Sequence, residues 1–336
     1  MSAPACLIVN PAAGGGRAGR LAPAVERALR GYGLELRRVD TRHLDHAREL
    51  GIEAAENGET VVALSGDGMI GVLADALRSI PGAVLGILPG GRGNDLARVL
   101  GIPEDAVAAC ETVAHGLARP IDLGVVSAST ADGDGQAFVG IASAGFDSEA
   151  NRIANEAPAW LGGQVYAYGA LRALASWRPA RFEIELDPPG VTHSFTGYSI
   201  AAANSKAYGG GMRLAPDASL DDGLLEVVAI EEVSRACFLA NLPKVFAGTH
   251  VKLPTVRVFR AAEVTISADR PFMMYADGDP IGELPVRVRA QRGAVTMLVP
   301  PHGVADAPFD TPSPLSNGSV PTTQSGQAPR DRPPGT

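Results

Sequence analysis

Three glycine-rich segments near the start of the chain have the composition of phosphate-binding loops. They are NPAAGGG (residues 10–16), SGDGM (65–69) and PGGRGND (89–95), and each directly follows a short apolar run. Glycine lets main-chain N–H groups approach an anion closely, and the N-terminus of a following helix adds a favourable dipole. A single such segment could equally be an ordinary strand-to-helix turn. Three of them together predict a phosphate site.

Two of these segments also carry an aspartate, Asp67 and Asp95. A carboxylate beside a phosphate could hold a metal ion or a substrate hydroxyl. Asp95 could instead cap a helix, because aspartate is favoured at helix starts, whereas Asp67 between two glycines is harder to explain structurally. Neither GxGxxG nor GxxxxGK[ST] occurs in the expected form, which disfavours dinucleotide-dependent dehydrogenases and P-loop enzymes.

The elements that position these loops alternate between strand and helix in residues 1–126. Apolar runs at 6–9, 34–39, 60–64, 83–88 and 120–126 predict strands, and helical spacing at 21–29, 44–55, 69–77 and 95–100 predicts helices. This alternation predicts a parallel sheet covered on both faces. Because ligands bind outside the carboxyl ends of such strands, the three loops should share one sheet edge.

The pattern changes in residues 127–300. Strand-like runs at 137–145, 181–187, 194–204, 224–230, 255–261, 263–268 and 295–300 predict an antiparallel sandwich or barrel, interrupted by helices near 164–176 and 233–246. The last strand could return to the first domain. Residues 301–336 are rich in proline, serine and threonine, and we expect this tail to be disordered.

Composition excludes several functional classes. With 29 Lys and Arg against 37 Asp and Glu, the net charge is −8, which argues against a protein held on nucleic acid by a general basic field. Cys6, Cys110 and Cys237 are far apart, so neither a disulfide framework nor a structural zinc site is expected, and a reducing cytoplasm is the natural compartment. The N-terminus does not have the pattern of a signal peptide, and no apolar run is long enough to span a membrane.

Histidines and aromatic residues give weaker signals. Three isolated histidines, His115, His193 and His250, are interpreted as structural. Four aromatic residues flank the helical pattern at 164–176: Trp160, Tyr166, Tyr168 and Trp177. They could be core residues, or they could form an apolar lip where an acyl chain leaves a membrane.

The second half carries three further motifs: GGGM (209–212), LAPDASLDDG (214–223) and DGD (277–279). Together with the three glycine-rich loops and Arg98, they resemble the ordered signature motifs of the diacylglycerol kinase catalytic-domain family. This family also includes bacterial lipid kinases and sphingosine kinases. The similarity extends from about residue 5 to residue 300, with the motifs in order and at family-like separations.

The resemblance implies an N-terminal three-layer α/β domain, a C-terminal β-sandwich, and an active site in the cleft between them. It also implies ATP and Mg²⁺ as cofactors. By motif position, the ATP site comprises Asn10, Pro11, Ala12, Ala13, Gly14, Thr41, Gly66, Asp67, Gly68, Met69, Ile70, Gly71, Val72 and Arg92. A structural Mg²⁺ site in the second domain corresponds to Ser219, Asp222 and Leu224, although an Asp-Gly hairpin turn would also explain this segment.

Catalytic roles follow from the same resemblance. Asp279 is the candidate general base, Asp67 and Asp95 would serve the catalytic Mg²⁺ directly or through water, and Arg98 could hold Asp95 or a phosphate oxygen. Asp277 is interpreted as structural.

The sequence departs from the family pattern at several positions. Ser65 and Met69 replace a glycine and a threonine, Arg92 replaces a threonine, and Gly15 replaces a frequent lysine for which Arg17 could substitute. Asp279 stands where the family usually has glutamate. All the acidic positions remain acidic, so these changes favour a subfamily with an altered substrate over a weakened enzyme.

The leading hypothesis is therefore an ATP- and Mg²⁺-dependent kinase that phosphorylates diacylglycerol or a related lipid alcohol in phospholipid biosynthesis. Such an enzyme would be cytoplasmic and peripheral to the inner face of the membrane, where its lipid substrate is presented. Alternatives are a sphingoid-base kinase, an NAD kinase-like enzyme, which would leave the NPAAGGG and GGGM motifs unexplained, and a non-catalytic regulator that binds nucleotide or lipid. A homodimer is also left as an alternative for the oligomeric state.

Overall fold

The protein is described here by a computed structural model that covers residues 4–129, 134–156, 165–187 and 191–301. Trp160 and all of the predicted tail beyond residue 301 lie outside these ranges. Among the described helices, none combines the length and the apolar composition needed to cross a bilayer.

The first domain is built on a parallel sheet. Its strands are β1 (Ala5–Val9), β2 (Leu36–Asp40), β3 (Thr60–Ser65) and β4 (Val84–Pro89), in the order β2-β1-β3-β4. Every residue of β1 is buried, and so is every residue of β3 and β4 after the first. Strands buried on both faces need helices on both sides.

Five helices cover this sheet: α1 (Ala13–Gly31), α2 (Leu44–Glu56), α3 (Asp67–Leu77), α4 (Asp95–Val99) and α5 (Cys110–His115). Helix α1 packs against α5, and α2 packs against α3. Helix α1 buries the stripe Ala18, Ala22, Val25 and Leu29, whose spacing matches one helical face. This arrangement is the predicted three-layer α/β domain, with one correction. The fifth predicted strand, at 120–126, does not join the parallel sheet, because it pairs antiparallel with residues 286–299.

The second domain is mainly antiparallel. Its strands are β5 (Leu117–Ala128), β6 (Gln136–Phe138), β7 (Ile141–Gly145), β8 (Ala180–Leu186), β9 (Val191–Ala203), β10 (Leu225–Glu231), β11 (Val256–Ala261), β12 (Glu263–Ala268), β13 (Met273–Ala276), β14 (Asp279–Glu283) and β15 (Val286–Val299). Helices α6 (Phe146–Glu156), α7 (Val165–Ser176) and α8 (Arg235–Phe246) and a short 3-10 helix (His250–Lys252) complete it. Its core includes Phe182, Ile200, Val227, Val264 and Ile266.

Strand β15 belongs to both domains. It pairs antiparallel with β5 and β12, and near its end Thr296 and Met297 pair in parallel with Val84 and Leu85 of β4. One strand therefore continues the second domain's sheet into the first domain's sheet, which fixes the cleft between them.

One predicted strand is interrupted. The run at 137–145 was expected to be a single strand, but the structure divides it into β6, which pairs with β5, and β7, which pairs with β9. At the break, the main-chain N–H groups of Val139 and Gly140 donate to the carboxylate of Asp277 (2.8 and 2.9 Å). At this point the carboxylate of Asp277, far along the chain, accepts the hydrogen bonds that a neighbouring strand would otherwise accept. This agrees with the structural interpretation of Asp277.

Asp122 on β5 is the buried anchor of two turns. Its carboxylate accepts hydrogen bonds from the N–H groups of Gly223 and Gly293, both at 2.6 Å, and the residue is 1% exposed. We expect the Asp122→Ala variant to lose about 3 kcal/mol of unfolding free energy, because two part-buried hydrogen bonds to a carboxylate are lost. Urea denaturation measures the loss.

The matched control is Asp134→Ala, whose side chain is 97% exposed. It should change the free energy by less than about 0.5 kcal/mol. Equal unfolding curves for both variants would contradict the anchoring role of Asp122.

Candidate active site

The glycine-rich loops meet at the carboxyl ends of β1, β3 and β4, as the strand order predicted. Gly90 N donates to Ser65 O at 2.8 Å, and Asn10 N donates to Leu64 O at 3.2 Å. A Cβ atom on Gly14 would lie 2.5 Å from Gly90 O, and one on Gly91 would collide with the main chain of Gly66. The loops therefore touch main chain to main chain, which only glycine allows.

Asp67 and Asp95 lie next to each other at this edge. Asp67 Oδ1 accepts from Leu96 N at 3.0 Å, whereas a Cβ on Gly93 would lie 3.3 Å from both Asp67 Oδ2 and Asp95 Oδ2. Burial, and then the charge of Asp67, raise the pKa of Asp95 above its ordinary value. The two carboxylates repel each other across a short gap, an arrangement that a cation would relieve.

Asp95 also connects the two domains. Its Oδ1 accepts from Arg98 Nη1 at 2.8 Å, and its Oδ2 accepts from Gly210 N, in the GGGM motif, at 2.7 Å. The alternative role of Asp95 as a helix cap is wrong, because the capping residue of α4 is Asn94, in a left-handed conformation (φ 52°). Arg98 holds Asp95, one of the two roles considered for it.

The β13–β14 hairpin brings Asp277 and Asp279 to the same place. The enclosed carboxyl of Asp277 has its pKa raised to about 6, chiefly by burial, and its partners are the Val139 and Gly140 N–H groups. Asp279 is exposed beside the SGDGM loop, where a Cβ on Gly68 would lie 3.7 Å from its Oδ2. Surrounding protein atoms raise the pKa of Asp279 above that of an ordinary aspartate.

The residues assigned to ATP occupy two settings. In the loops, Asn10 Oδ1 accepts from Ala12 N at 3.1 Å, and the exposed Arg92 has no hydrogen bond or ion pair to another described side chain or main-chain group. In α3, by contrast, the side chains of Met69 and Ile70 lie in the core, so only their main chain can face a ligand. Thr41 is buried and donates from Oγ1 to His43 O at 2.8 Å.

The remaining assigned residues lie on or next to two helices: Pro11 lies two residues before α1, Ala13 and Gly14 are the first residues of α1, Gly68 lies in the first turn of α3, and Gly71 and Val72 lie further along α3. Arg17, the substitute considered for the family's lysine, has its guanidinium 3.4 Å from Glu104 O.

A cavity of about 800 Å³ opens from this acidic edge into the second domain. At one end it is lined by Asp67, Arg92, Asp95 and Asp277. At the other end its lining is apolar and includes Phe146, Ile230, Phe238, Leu242, Val245 and Phe246. Its size lies in the range of pockets that enclose small organic ligands, and its two ends suit a molecule with a polar head and an apolar tail.

The segment assigned to a structural Mg²⁺ is a turn rich in oxygen atoms. Asp222 Oδ1 accepts from Leu224 N at 2.9 Å, its Oδ2 pairs with Arg260, and Ser219 Oγ donates to Asp221. Among the described residues, no group of three or more His, Cys, Asp or Glu side chains is arranged to hold a metal. A cation here would depend on Asp222 and main-chain carbonyls.

The interpretation of the four aromatic residues as a surface lip is wrong for Trp177. Trp177 is 7% exposed and packs in a core cluster with Phe146 and Tyr198, so it is not part of a surface lip. Tyr168 is exposed. His250 is buried, with Nε2 3.0 Å from Leu214 O, consistent with its structural interpretation.

Comparisons with known proteins agree with the motifs. Residues 4–126 match the family described as diacylglycerol kinase catalytic domain, and residues 140–299 match the YegS C-terminal NAD kinase beta sandwich-like domain. The diacylglycerol kinase of Mycobacterium tuberculosis (strain ATCC 25618 / H37Rv) is 33% identical over 88% of this chain and 95% of its own length. The chain belongs to the diacylglycerol kinase family.

Other members of the diacylglycerol kinase family are similar over most of the chain. A Yersinia enterocolitica protein named "Probable lipid kinase YegS-like" is 32% identical over 82% of this chain and 90% of its own. The crystal structure of a diacylglycerol kinase from Bacillus anthracis str. Sterne has a TM-score of 0.70 at 19% identity, covering 89% of this chain and 98% of that one. At that identity the likeness shows the shared fold.

In this diacylglycerol kinase family member, sequence reasoning missed Asp147, a carboxylate at the start of α6 that lines the cavity. Its Oδ2 accepts from the Tyr208 hydroxyl at 3.2 Å, and Ser199 also donates to it. Burial raises its pKa to about 6. The available signal was an aspartate two residues beyond the predicted strand at 137–145.

We expect this aspartate to make stability depend on pH. The folded protein keeps the Asp147 proton up to a pH of about 6, whereas an unfolded aspartate loses it near pH 4. The folded state binds more protons between these values, so stability falls as pH rises from about 4 to 6. Because Asp147→Asn has no proton to lose, its melting temperature relative to wild type should rise over this range.

The relative change should approach 2–3 kcal/mol at full ionisation, or roughly 5 °C or more. Thermal denaturation at a series of pH values measures it, with the exposed Asp134→Asn as control. Parallel pH curves for wild type and Asp147→Asn would contradict the buried-carboxyl interpretation.

Proposed function

We propose that this protein is an ATP- and Mg²⁺-dependent lipid kinase that transfers the γ-phosphate of ATP to a hydroxyl of diacylglycerol or a related lipid alcohol. The observation that carries the proposal is the cavity with two chemically different ends. Its acidic end lies beneath glycine-rich loops suited to phosphate, and its apolar end has room for acyl chains.

The nucleotide would lie against the touching loops of β1, β3 and β4. Their glycines give a ligand access to main-chain N–H groups, and the guanidinium of Arg92 is free to pair with phosphate oxygens. Met69, which replaces a threonine, contributes no side chain here because that side chain is in the core. Arg92, which replaces a threonine of the family pattern, would thus add a charged contact to the phosphates.

Catalysis would depend on the four clustered aspartates. Asp67 Oδ2 and Asp95 Oδ2 face the same gap at Gly93, so these two carboxylates fit a cation there. Mg²⁺ bound at this place would neutralise charge on the transferring phosphate. Arg98 and Gly210 N hold Asp95 in position from two sides.

Asp279 would act as the general base that accepts the proton of the lipid hydroxyl. Surrounding protein atoms raise its pKa, which makes it a better proton acceptor than an ordinary carboxylate. Asp277, fully engaged with two main-chain N–H groups, would orient the hairpin that presents Asp279.

The apolar end supports a lipid as the acceptor. Phe146, Phe238 and Val245 line it, and a water-soluble acceptor such as NAD would leave these surfaces without a partner. The lipid would be presented at the cytoplasmic membrane surface, where the enzyme would act as a peripheral protein.

The first experiment is transfer of labelled γ-phosphate from ATP, with Mg²⁺, onto diacylglycerol, sphingosine, ceramide, monoacylglycerol and phosphatidylglycerol in mixed micelles, with NAD as control. We expect transfer to one lipid class, and loss of at least about 100-fold in kcat for Asp279→Ala with ATP affinity changed less than tenfold. Glu283→Gln, an exposed carboxylate on the same hairpin, should stay near wild type.

An active Asp279→Ala enzyme would remove Asp279 from the role of base. Clear ATP binding without transfer to any lipid would contradict the kinase proposal and favour a regulator that binds nucleotide without catalysis.

A second cation site is proposed at Ser219, Asp222 and Leu224. Burial and then nearby charges act on Glu226: Arg260 lowers its pKa, Asp217 and Asp222 raise it, and the net direction is upward. Asp222 and Glu226 share the guanidinium of Arg260, and Asp221 lies beside them. Carboxylates outnumber cations among these groups, which suits a hard cation held by oxygen atoms.

Asp222→Ala should remove the stabilisation that Mg²⁺ at this second site gives the wild-type protein, about 2–3 kcal/mol at 100 times the dissociation constant of that site, and should leave the stabilisation from a cation at Asp67 and Asp95. Melting curves recorded without Mg²⁺ and at Mg²⁺ concentrations that increase in 10-fold steps test this. The control is Asp187→Ala, which removes a carboxylate in another turn. An unchanged response to Mg²⁺ in Asp222→Ala would remove this site.

A further inference from the structure

Helix α8 has an unusual combination of composition and exposure. Its sequence, RACFLANLPKVF, contains two cations and one amide, and every other side chain is apolar. Not one of its residues is buried. A helix that is apolar on all sides is normally found inside a protein or in a lipid environment, so the outer side of α8 lacks a cover among the described residues.

The two sides of α8 have different surroundings. On the inner side, Phe238, Leu242 and Val245 line the cavity of the candidate active site. On the outer side, Leu239 is 42% exposed, and Ala236, Ala240 and Pro243 are exposed beside it. Phe246 both lines the cavity and is 38% exposed, so the cavity reaches the surface at the end of this helix.

The charge of this segment is opposite to that of the protein. Residues 233–257 contain Arg235, Lys244, Lys252 and Arg257 and no acidic residue, in a chain whose net charge is −8. Arg257 is paired with Glu231 at 2.5 Å, and Arg235 donates to Trp177 O. Lys244 and Lys252 form no salt bridge with any described carboxylate, so their charges are available to an anionic partner.

We propose that the outer side of α8 docks onto an anionic phospholipid bilayer, with Leu239 and Pro243 in the interface and Lys244 against lipid phosphates. Basic residues flanking an apolar helical face are the composition of an interfacial helix. This inference rests on the proposed function, because docking there would place the opening at Phe246 against the layer that contains the lipid acceptor.

A second copy of the chain is the competing partner for the same surface. In a twofold interface the same patch meets itself, so Lys244 and Arg235 would face like charges at the rim of an apolar contact. An anionic bilayer instead satisfies both the apolar side chains and the cations. Charge complementarity therefore favours the membrane.

The test is co-sedimentation with vesicles of phosphatidylglycerol and phosphatidylcholine, or of phosphatidylcholine alone, in the absence of ATP. Wild type should bind the anionic vesicles and bind neutral ones at least tenfold more weakly. Lys244→Glu and Leu239→Ser should each weaken anionic binding about tenfold or more, and Lys244→Arg should bind like wild type. Arg27→Glu, an equal charge change at an exposed position on α1, should have no effect.

A second measurement uses Cys237, which is exposed on α8 while Cys6 and Cys110 are buried. A polarity-sensitive fluorophore attached there should report an apolar environment on addition of anionic vesicles and be quenched by spin-labelled lipid. Neither Lys244 nor Leu239 lines the cavity, so both variants should phosphorylate a short-chain diacylglycerol dispersed in detergent as fast as wild type.

Three results would overturn the docking surface: no binding of wild type to anionic vesicles, unchanged binding of both α8 variants, or a lipid-free dimer in light scattering that Leu239→Ser dissociates. Failure of the kinase proposal gives a different pattern. In that case, vesicle binding and its loss in the α8 variants persist, while no lipid is phosphorylated under any condition.

Discussion

The geometry of the active-site cleft depends on one strand shared between two domains. Because β15 pairs with β5 along one edge and with β12 and then β4 along the other, the two sheets cannot shift independently without breaking main-chain hydrogen bonds. The short contacts across the cleft require this constraint: Asp95 reaches Gly210 N at 2.7 Å. A loosely linked pair of domains would not keep such buried polar contacts.

The constraint also explains the electrostatics of the cleft. It holds Asp67, Asp95 and Asp277 close together, and among the described residues only Arg98 forms a salt bridge with one of them. Burial chiefly, and then the charge of Asp67, raise the pKa values of Asp95 and Asp277. A protein that concentrates carboxylates in this way is less stable for it, unless a cation and a phosphate complete the charge balance. Under the proposed function, binding of a metal–nucleotide complex would relieve the repulsion between these carboxylates.

The loops at the ends of β1, β3 and β4 were predictable because every signal for them is local: an apolar strand, glycines and a following helix. The break between β6 and β7 was not, because its cause is Asp277, 138 residues away along the chain. Asp147 and Asp122 were missed for the same reason. A buried carboxylate is recognised by partners such as Tyr208 and Gly293, which only the fold brings near. The β13–β14 hairpin carries Asp279, whose importance came from the family resemblance and not from periodicity.

The distribution of charge over the protein would also orient it at a membrane surface. An acidic protein is repelled by an anionic bilayer, and the repulsion is strongest where its carboxylates are densest. The 25-residue segment from 233 to 257 contains four cations and no acidic residue, so it is a region of the described surface where this repulsion reverses sign. The same segment forms one wall of the cavity through Phe238 and Val245. Attraction at α8 and repulsion elsewhere would select a single approach, with the mouth of the cavity toward the lipid and the glycine-rich loops left open to nucleotide from the water side.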